Sequence, residues 1–154
     1  MADLRLKWDN IRGRADLALL PDGTLDTAAD LETMIIVSLF SDRLAEPGDR
    51  IPGGAADRRG WWGDSYATVP GELIGSRLWL LTTATDQTPL LARGYILEAL
   101  QWLIDDGIAT AIDAQCFYPP GTRAQLDARI TITRGLAGPL NLQYAAIWQA
   151  ELTA

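Results

Sequence analysis

The sequence contains no histidine. That absence removes Ser-His-Asp and Cys-His nucleophilic catalysis, histidine general bases and histidine-ligated zinc together. Cysteine is nearly missing too. Cys116 stands alone, which excludes an intramolecular disulfide and any metal site built from several thiolates. Unpaired cysteine is usually buried, so an inert, buried thiol is expected there. Positive charge is scarce: 13 Lys and Arg face 20 Asp and Glu, for a net charge of −7. Nucleic acid and anionic membrane both demand clustered basic residues, and neither is expected as a partner. The acids are scattered and form no tail, the pattern of a solvated surface. No stretch approaches the ~18 apolar residues of a membrane span, and Met1-Ala2-Asp3-Leu4-Arg5 has an acid where a signal peptide needs an apolar run. The expectation is a soluble chain made in a cytoplasm. Only oxygen ligands remain for a metal and no EF-hand spacing is present, so no cofactor is expected.

What is there suffices for a core: 48% of the 154 residues are hydrophobic, enough for one domain, or for one domain with a separate N-terminal lobe. Leu4, Leu6 and Trp8 alternate with Arg5 and Lys7, Gly13 interrupts, and Asp16 to Leu20 resumes an extended pattern. Pro21-Asp22-Gly23 reads as a turn. Thr27-Ala28-Ala29-Asp30 has capping-box spacing, predicting a helix over roughly 28–42 with Leu31, Met34, Ile35, Ser38 and Leu39 toward the core. Residues 45–57, rich in Gly and Pro, read as a loop joining lobe and body. A short helix is expected over 73–81, although Gly75 weakens it. Thr88-Pro89 opens a longer one, running to about Asp105 with Ile96, Leu97, Leu100, Leu103 and Ile104 on one stripe and Gly107 closing it. Three strands follow, at about 108–117, 124–133 and 140–152, separated by Pro119-Pro120-Gly121 and by 135–139. The predicted class is α+β: the 88–105 helix packed on a three-stranded antiparallel sheet, with an N-terminal strand-turn-helix lobe. The division is a lobe and loop over 1–56 and a core over 57–154, or one continuous domain.

Asp57-Arg58-Arg59-Gly60-Trp61-Trp62-Gly63-Asp64 is not required by any regular element. Buried aromatic anchors and Arg are the chemistry of protein contacts, so Arg58, Arg59, Trp61, Trp62 and Asp64 are candidate partner-binding residues. One Trp is expected to be buried within the chain and the other open to a neighbour, with Arg58 or Arg59 paired to Asp57 or Asp64. The alternative is a sugar-binding or peptidoglycan-acting domain, with indoles stacked on sugar rings and Asp57 and Asp64 as acid and base; seven residues of glycine-rich separation fix no such distance. Glu98, Asp105 and Asp106 are a further carboxylate set, read as solvent-exposed turn and helix-end residues. A second docking candidate is the last strand. In a sequential meander it lies at a sheet edge, and its outward set of Asn141, Gln143, Ala145, Ile147, Gln149 and Glu151 contains no Lys and no Pro to block strand addition. Cover by the N-terminal segment 3–20 is the competing arrangement.

The strings Asp57 to Asp64, Ile74-Gly75-Ser76-Arg77-Leu78-Trp79-Leu80-Leu81 and Glu98 to Gly107 resemble the Mu-like phage baseplate wedge family. Trp8-Asp9, Gly13, Ala15-Asp16-Leu17, Leu31-Glu32-Thr33 and Ser38 to Arg43 fall upstream in the same order. The resemblance implies a virion protein at the baseplate of a contractile tail, assembled in the host cytoplasm. It also implies other baseplate wedge proteins and the tail sheath protein as partners, and a role in initiating or anchoring the sheath. The wider group has been labelled lysozyme-like, but no acid/base pair follows from these residues, so no catalytic residue carries over and no enzyme is expected.

Overall fold

The computed structural model describes residues 4–27 and 30–150. Ala28 and Ala29 of the expected cap, and Glu151 at the end of the last strand, lie outside the described residues. The first alternating segment forms β1 (Leu6–Asp9), which pairs antiparallel with β2 (Arg14–Leu17), Leu6 opposite Leu17 and Asp9 opposite Arg14. The Asp9 carboxylate accepts the N–H groups of Ile11 and Arg12 at 2.9 and 3.0 Å. Gly13, at φ +61°, then completes a turn that a side chain would strain.

Helix α1 (Leu31–Phe40) starts later than the capping box suggested. Its cap is Asp30, whose carboxylate accepts both the N–H and the hydroxyl of Thr33 at 2.8 Å. The buried face also differs from the expected one. Ile35, Ile36 and Leu39 are buried, whereas Met34 is 48% exposed and Ser38 receives the indole N–H of Trp102 at 3.1 Å instead of entering the core.

The expected helix over 73–81 is one 3-10 turn, Leu78–Leu80. The preceding residues pair with the chain end of α1: Ser76 N–H donates to Ser41 O at 2.9 Å and Arg43 N–H to Ser76 O at 3.0 Å, a short parallel bridge. The long helix divides into α2 (Thr88–Ala99) and the single turn α3 (Trp102–Asp105). Pro89 sits in the first turn of α2, where its missing N–H has no partner to lose. Leu100, at φ −102° and ψ 3°, bends the path and points Leu103 inward while leaving Ile104 partly exposed.

Strands β3 (Ala111–Phe117), β4 (Gln125–Thr133) and β5 (Leu140–Gln149) form the antiparallel meander, in that order. Helix α2 packs against the sheet, and Arg93 donates to Ala114 O of β3 at 2.9 Å. Ile96, Leu100 and Leu103 share one core with Ile130, Ile132, Leu142 and Tyr144 of the sheet, Ile35 and Leu39 of α1, and Trp8 of the hairpin. Trp8 stacks on Phe40 at 3.8 Å between centroids, and both meet Tyr144 edge-on.

One irregularity redirects β5. Leu126 pairs with Trp148 but Ala128 with Tyr144, so residues 145–147 stand opposite Asp127 alone. The Asp127 carboxylate accepts Ala146 N–H at 2.9 Å, and Ala146 adopts φ +54°. This bulge interrupts the alternation: Ile147, expected to face outward, is buried next to Ala146, while Gln149 still faces outward.

Candidate functional site

The segment from 57 to 64 projects from the body because its flanks are pinned rather than because it is regular. Arg58 donates to the carbonyls of Ala45 and Glu46, and Ala45 N–H returns a bond to Arg58 O at 3.0 Å. Arg59 forms an ion pair with Asp42 at 2.7 Å and lies 4.4 Å over the Trp79 ring. Asp57 turns back to accept Arg59 N–H at 2.8 Å, and Asp64 accepts Ile74 N–H at 3.1 Å. The expected pairing of Arg58 or Arg59 with Asp57 or Asp64 is therefore corrected. Carbonyls brought close by the fold satisfy Arg58, and a carboxylate distant in sequence satisfies Arg59.

Neither indole of the pair is buried, which corrects the expectation that one is. Trp61 is 46% and Trp62 76% exposed. Their centroids are 5.6 Å apart at a 47° tilt, and Tyr66 meets Trp62 edge-on at 6.1 Å. The segment closes in a 3-10 helix, Trp62–Tyr66. The Trp61 ring folds over Gly63, whose α-carbon is so close that an added Cβ would lie 2.1 Å from the ring. Glycine at 63 thus holds Trp61 down while Trp62 and Tyr66 stand out. The result is a tilted aromatic knuckle, not the parallel platform that sugar stacking would use.

The edge of β5 is occupied where it was expected to be free. Ala145 N–H donates to Asn10 Oδ1 at 2.8 Å, and Ala145 O accepts the Trp8 indole N–H at 2.9 Å. Both backbone groups of Ala145 are engaged by the N-terminal hairpin, so strand addition at this residue is closed. Gln143 and Gln149 remain exposed.

Sequence reasoning missed the densest polar cluster. Arg77 is held by Glu98 through two bonds of 2.9 and 3.0 Å, by Asp49 at 3.1 Å and by Glu46 at 3.5 Å, with its guanidinium 5.0 Å over the Tyr95 ring. Burial works against the Arg77 charge, but the carboxylates of Glu98 and Asp49 outweigh it and raise its pKa. Burial pushes the Asp49 carboxyl up, yet the Glu46 N–H and Arg77 hold it below the ordinary value. No spacing links residues 46, 49, 77 and 98, so only the fold could reveal the cluster. It ties the 45–57 loop to α2. Asp105 and Asp106 are exposed, Asp105 accepting from Gln101 at 3.0 Å. Cys116 is half-buried, and burial pushes its thiol up to about 12, which removes thiolate reactivity. Among the described residues no group of three or more His, Cys, Asp or Glu is arranged to hold a metal ion, and no helix is long and apolar enough to cross a membrane.

The model of the family described as Phage protein GP46 matches residues 31–137. The chain is similar to Baseplate protein gp46 of Escherichia phage Mu, with 49% identity over 119 residues, covering 75% of this chain and 77% of the relative. It is also similar to Mu-like prophage FluMu protein gp46 of Haemophilus influenzae, 37% identical over 139 residues, covering 88% and 90%.

Proposed function

The chain belongs to the Phage protein GP46 family, and from that premise we propose that it is a wedge component of a contractile-tail baseplate that anchors or initiates the sheath through protein contacts. It is a structural protein of the virion tail baseplate. The observation that carries the wedge reading is the aromatic knuckle. Trp62 and Tyr66 present apolar rings to solvent on a backbone braced by Arg58 and Arg59, and rigid exposed aromatics are the usual anchors of protein interfaces. Other wedge subunits and the sheath protein are the partners in this reading. Trp61, Trp62, Gln143 and Gln149 are the positions left to meet them, since Arg58, Arg59, Asp64, Ala145 and Ile147 are engaged or buried within the chain.

Trp62→Ala tests this. The isolated protein is expected to keep its melting temperature, while assembling particles should lose incorporation of this protein or the attached sheath, counted by electron microscopy. Sheathed tails at normal yield with the variant would remove the knuckle from the interface. The cell-wall reading gains no support from the tilted indoles. Turnover of peptidoglycan fragments, abolished by Asp64→Asn, would restore it.

A further inference from the structure

Beside the knuckle runs a groove of about 970 Å³. Its floor and walls are Leu6, Met34, Val37, Trp61, Ile74 and Trp102, contributed by β1, α1, the 61–75 loop and α3. Met34 and Val37 are three apart on the solvent side of α1, and both are exposed although large and apolar. Three carboxylates line the groove, Asp64, Glu72 and Asp106, and no Lys or Arg does. One oxygen of Asp64, Oδ2, is buried with no partner. Past Trp102 the groove continues into a second hollow of about 650 Å³ that shares Glu72, Leu73, Ala99, Trp102 and Asp106 with it. That extension adds Asp105 and Arg43, and Arg43 already donates to Leu73 O at 3.2 Å. The whole is an elongated trough with an apolar middle and an acidic far end.

We propose that this trough receives an amphipathic helix of a neighbouring protein, its apolar stripe laid over Val37 and Trp102 and its Lys or Arg residues lying against Glu72 and Asp106. Three features select that occupant. The trough is elongated, which fits a chain segment better than a compact small molecule. The acids of the main groove have no lining base, and Arg43 in the extension is turned to Leu73 O, so the complementary charge must come largely from the occupant. The strand residues among its described walls offer no open N–H: Leu6 N–H donates to the Thr33 hydroxyl at 3.1 Å and Leu17 N–H to Asp16 Oδ1 at 2.9 Å, and most other walls are helix side chains and loop. A segment that gains no backbone pairing must satisfy its own N–H and C=O groups, as a helix does. An exposed apolar surface rimmed by polar groups is the usual mark of such a site. The inference rests on the wedge reading and names the chemistry of the element docked there.

The test uses the full chain and a synthetic helical peptide with Leu at i, i+3, i+4 and i+7 and Lys at its C-terminal end, followed by tryptophan fluorescence and calorimetry. Controls are a scrambled peptide and one with Glu in place of Lys. Expected results are saturable binding of the Lys peptide alone and a loss of about tenfold in Val37→Gln. Glu72→Gln with Asp106→Asn should weaken binding and flatten its salt dependence. Leu136→Gln, at a fully exposed site outside the trough, should leave binding unchanged, and melting curves of all variants confirm folding. Equal binding of the Glu or scrambled peptide, unchanged binding in folded Val37→Gln, or no binding would overturn the proposal. So would concentration-dependent dimerisation abolished by Val37→Gln, which would make a second copy the occupant. Failure here with Trp62→Ala still blocking assembly sinks the trough and leaves the wedge reading; the reverse outcome sinks the knuckle alone.

Discussion

Residues 88–149 and residues 41–87 solve the same problem by different means. The first stretch buries apolar side chains in periodic elements, α2 against β3 and the meander. The second has no element longer than a few residues, and its backbone is held by long polar side chains reaching carbonyls far away in sequence. Arg43 donates to Leu73 O, Arg58 to Ala45 and Glu46, the Trp79 indole to Arg43 O at 2.9 Å, and the Ser76 hydroxyl to Leu39 O. An irregular region becomes rigid when each buried carbonyl finds a donor, and Arg and Trp provide donors with long reach. The periodic stretch should yield gradually to single changes, since its energy is spread over many contacts. The irregular one should fail sharply at a few positions.

The sharpest break is expected at Gly75, which adopts φ +103°. A Cβ there would lie 2.5 Å from Ser41 O and 2.8 Å from Arg43 N, both backbone atoms. Gly75→Ala must separate the two segments of the parallel bridge, at a cost of about 3 kcal/mol or more from overpacking and backbone strain. Chemical denaturation measures it, and a loss under 1 kcal/mol would show that the bridge does not hold the loop region.

Arg77→Ala comes next. It leaves Asp49 and Glu98 largely buried without their shared cation, and a loss of about 2–3 kcal/mol is expected, below that of a fully buried pair. Arg77→Lys should recover only part of this, because an ammonium cannot match the two-bond contact with Glu98. Full recovery by Lys would reduce the cluster to simple charge neutralisation.

Acid should act on the same cluster more gently. The folded-state pKa of Asp49 is depressed, so its contribution is complete above the unfolded value near 3.8 and is lost as pH falls through the lower folded value. Melting temperature between pH 5 and 2.5 should therefore drop less steeply in Asp49→Asn than in the parent. Parallel curves would contradict the assignment.

The smallest effect belongs to the periodic half. The Tyr144 hydroxyl is buried with no partner, and burial raises its pKa. Tyr144→Phe removes an unsatisfied polar group while keeping the ring against Trp8 and Phe40. Stability should stay level or rise by up to about 1 kcal/mol. A clear loss would reveal a partner for the hydroxyl.

The difference between the halves also marks what periodicity could disclose. Alternation in 124–133 and 140–149, Pro89 at a helix start and glycine at 107 and 121 specify strands, a helix and turns, because each is a local preference of the backbone. So the α+β class and the meander were legible, whereas the exposure of both paired Trp was not. The cap of α1 was misread by one candidate residue: Thr27 and Asp30 are both good caps, and the Thr33 hydroxyl and N–H bind Asp30. Sequence by itself determined the absence of histidine chemistry, the single thiol, the acid excess and the order of elements. Tertiary structure decided the rest. It set Asp127 opposite a bulge in β5 that buries Ile147, placed Asn10 and Trp8 on Ala145, and gathered Glu46, Asp49, Arg77 and Glu98 into one cluster. These are contacts between residues from 19 to 137 positions apart. No local preference encodes such a distance, and only the packed core brings the partners together.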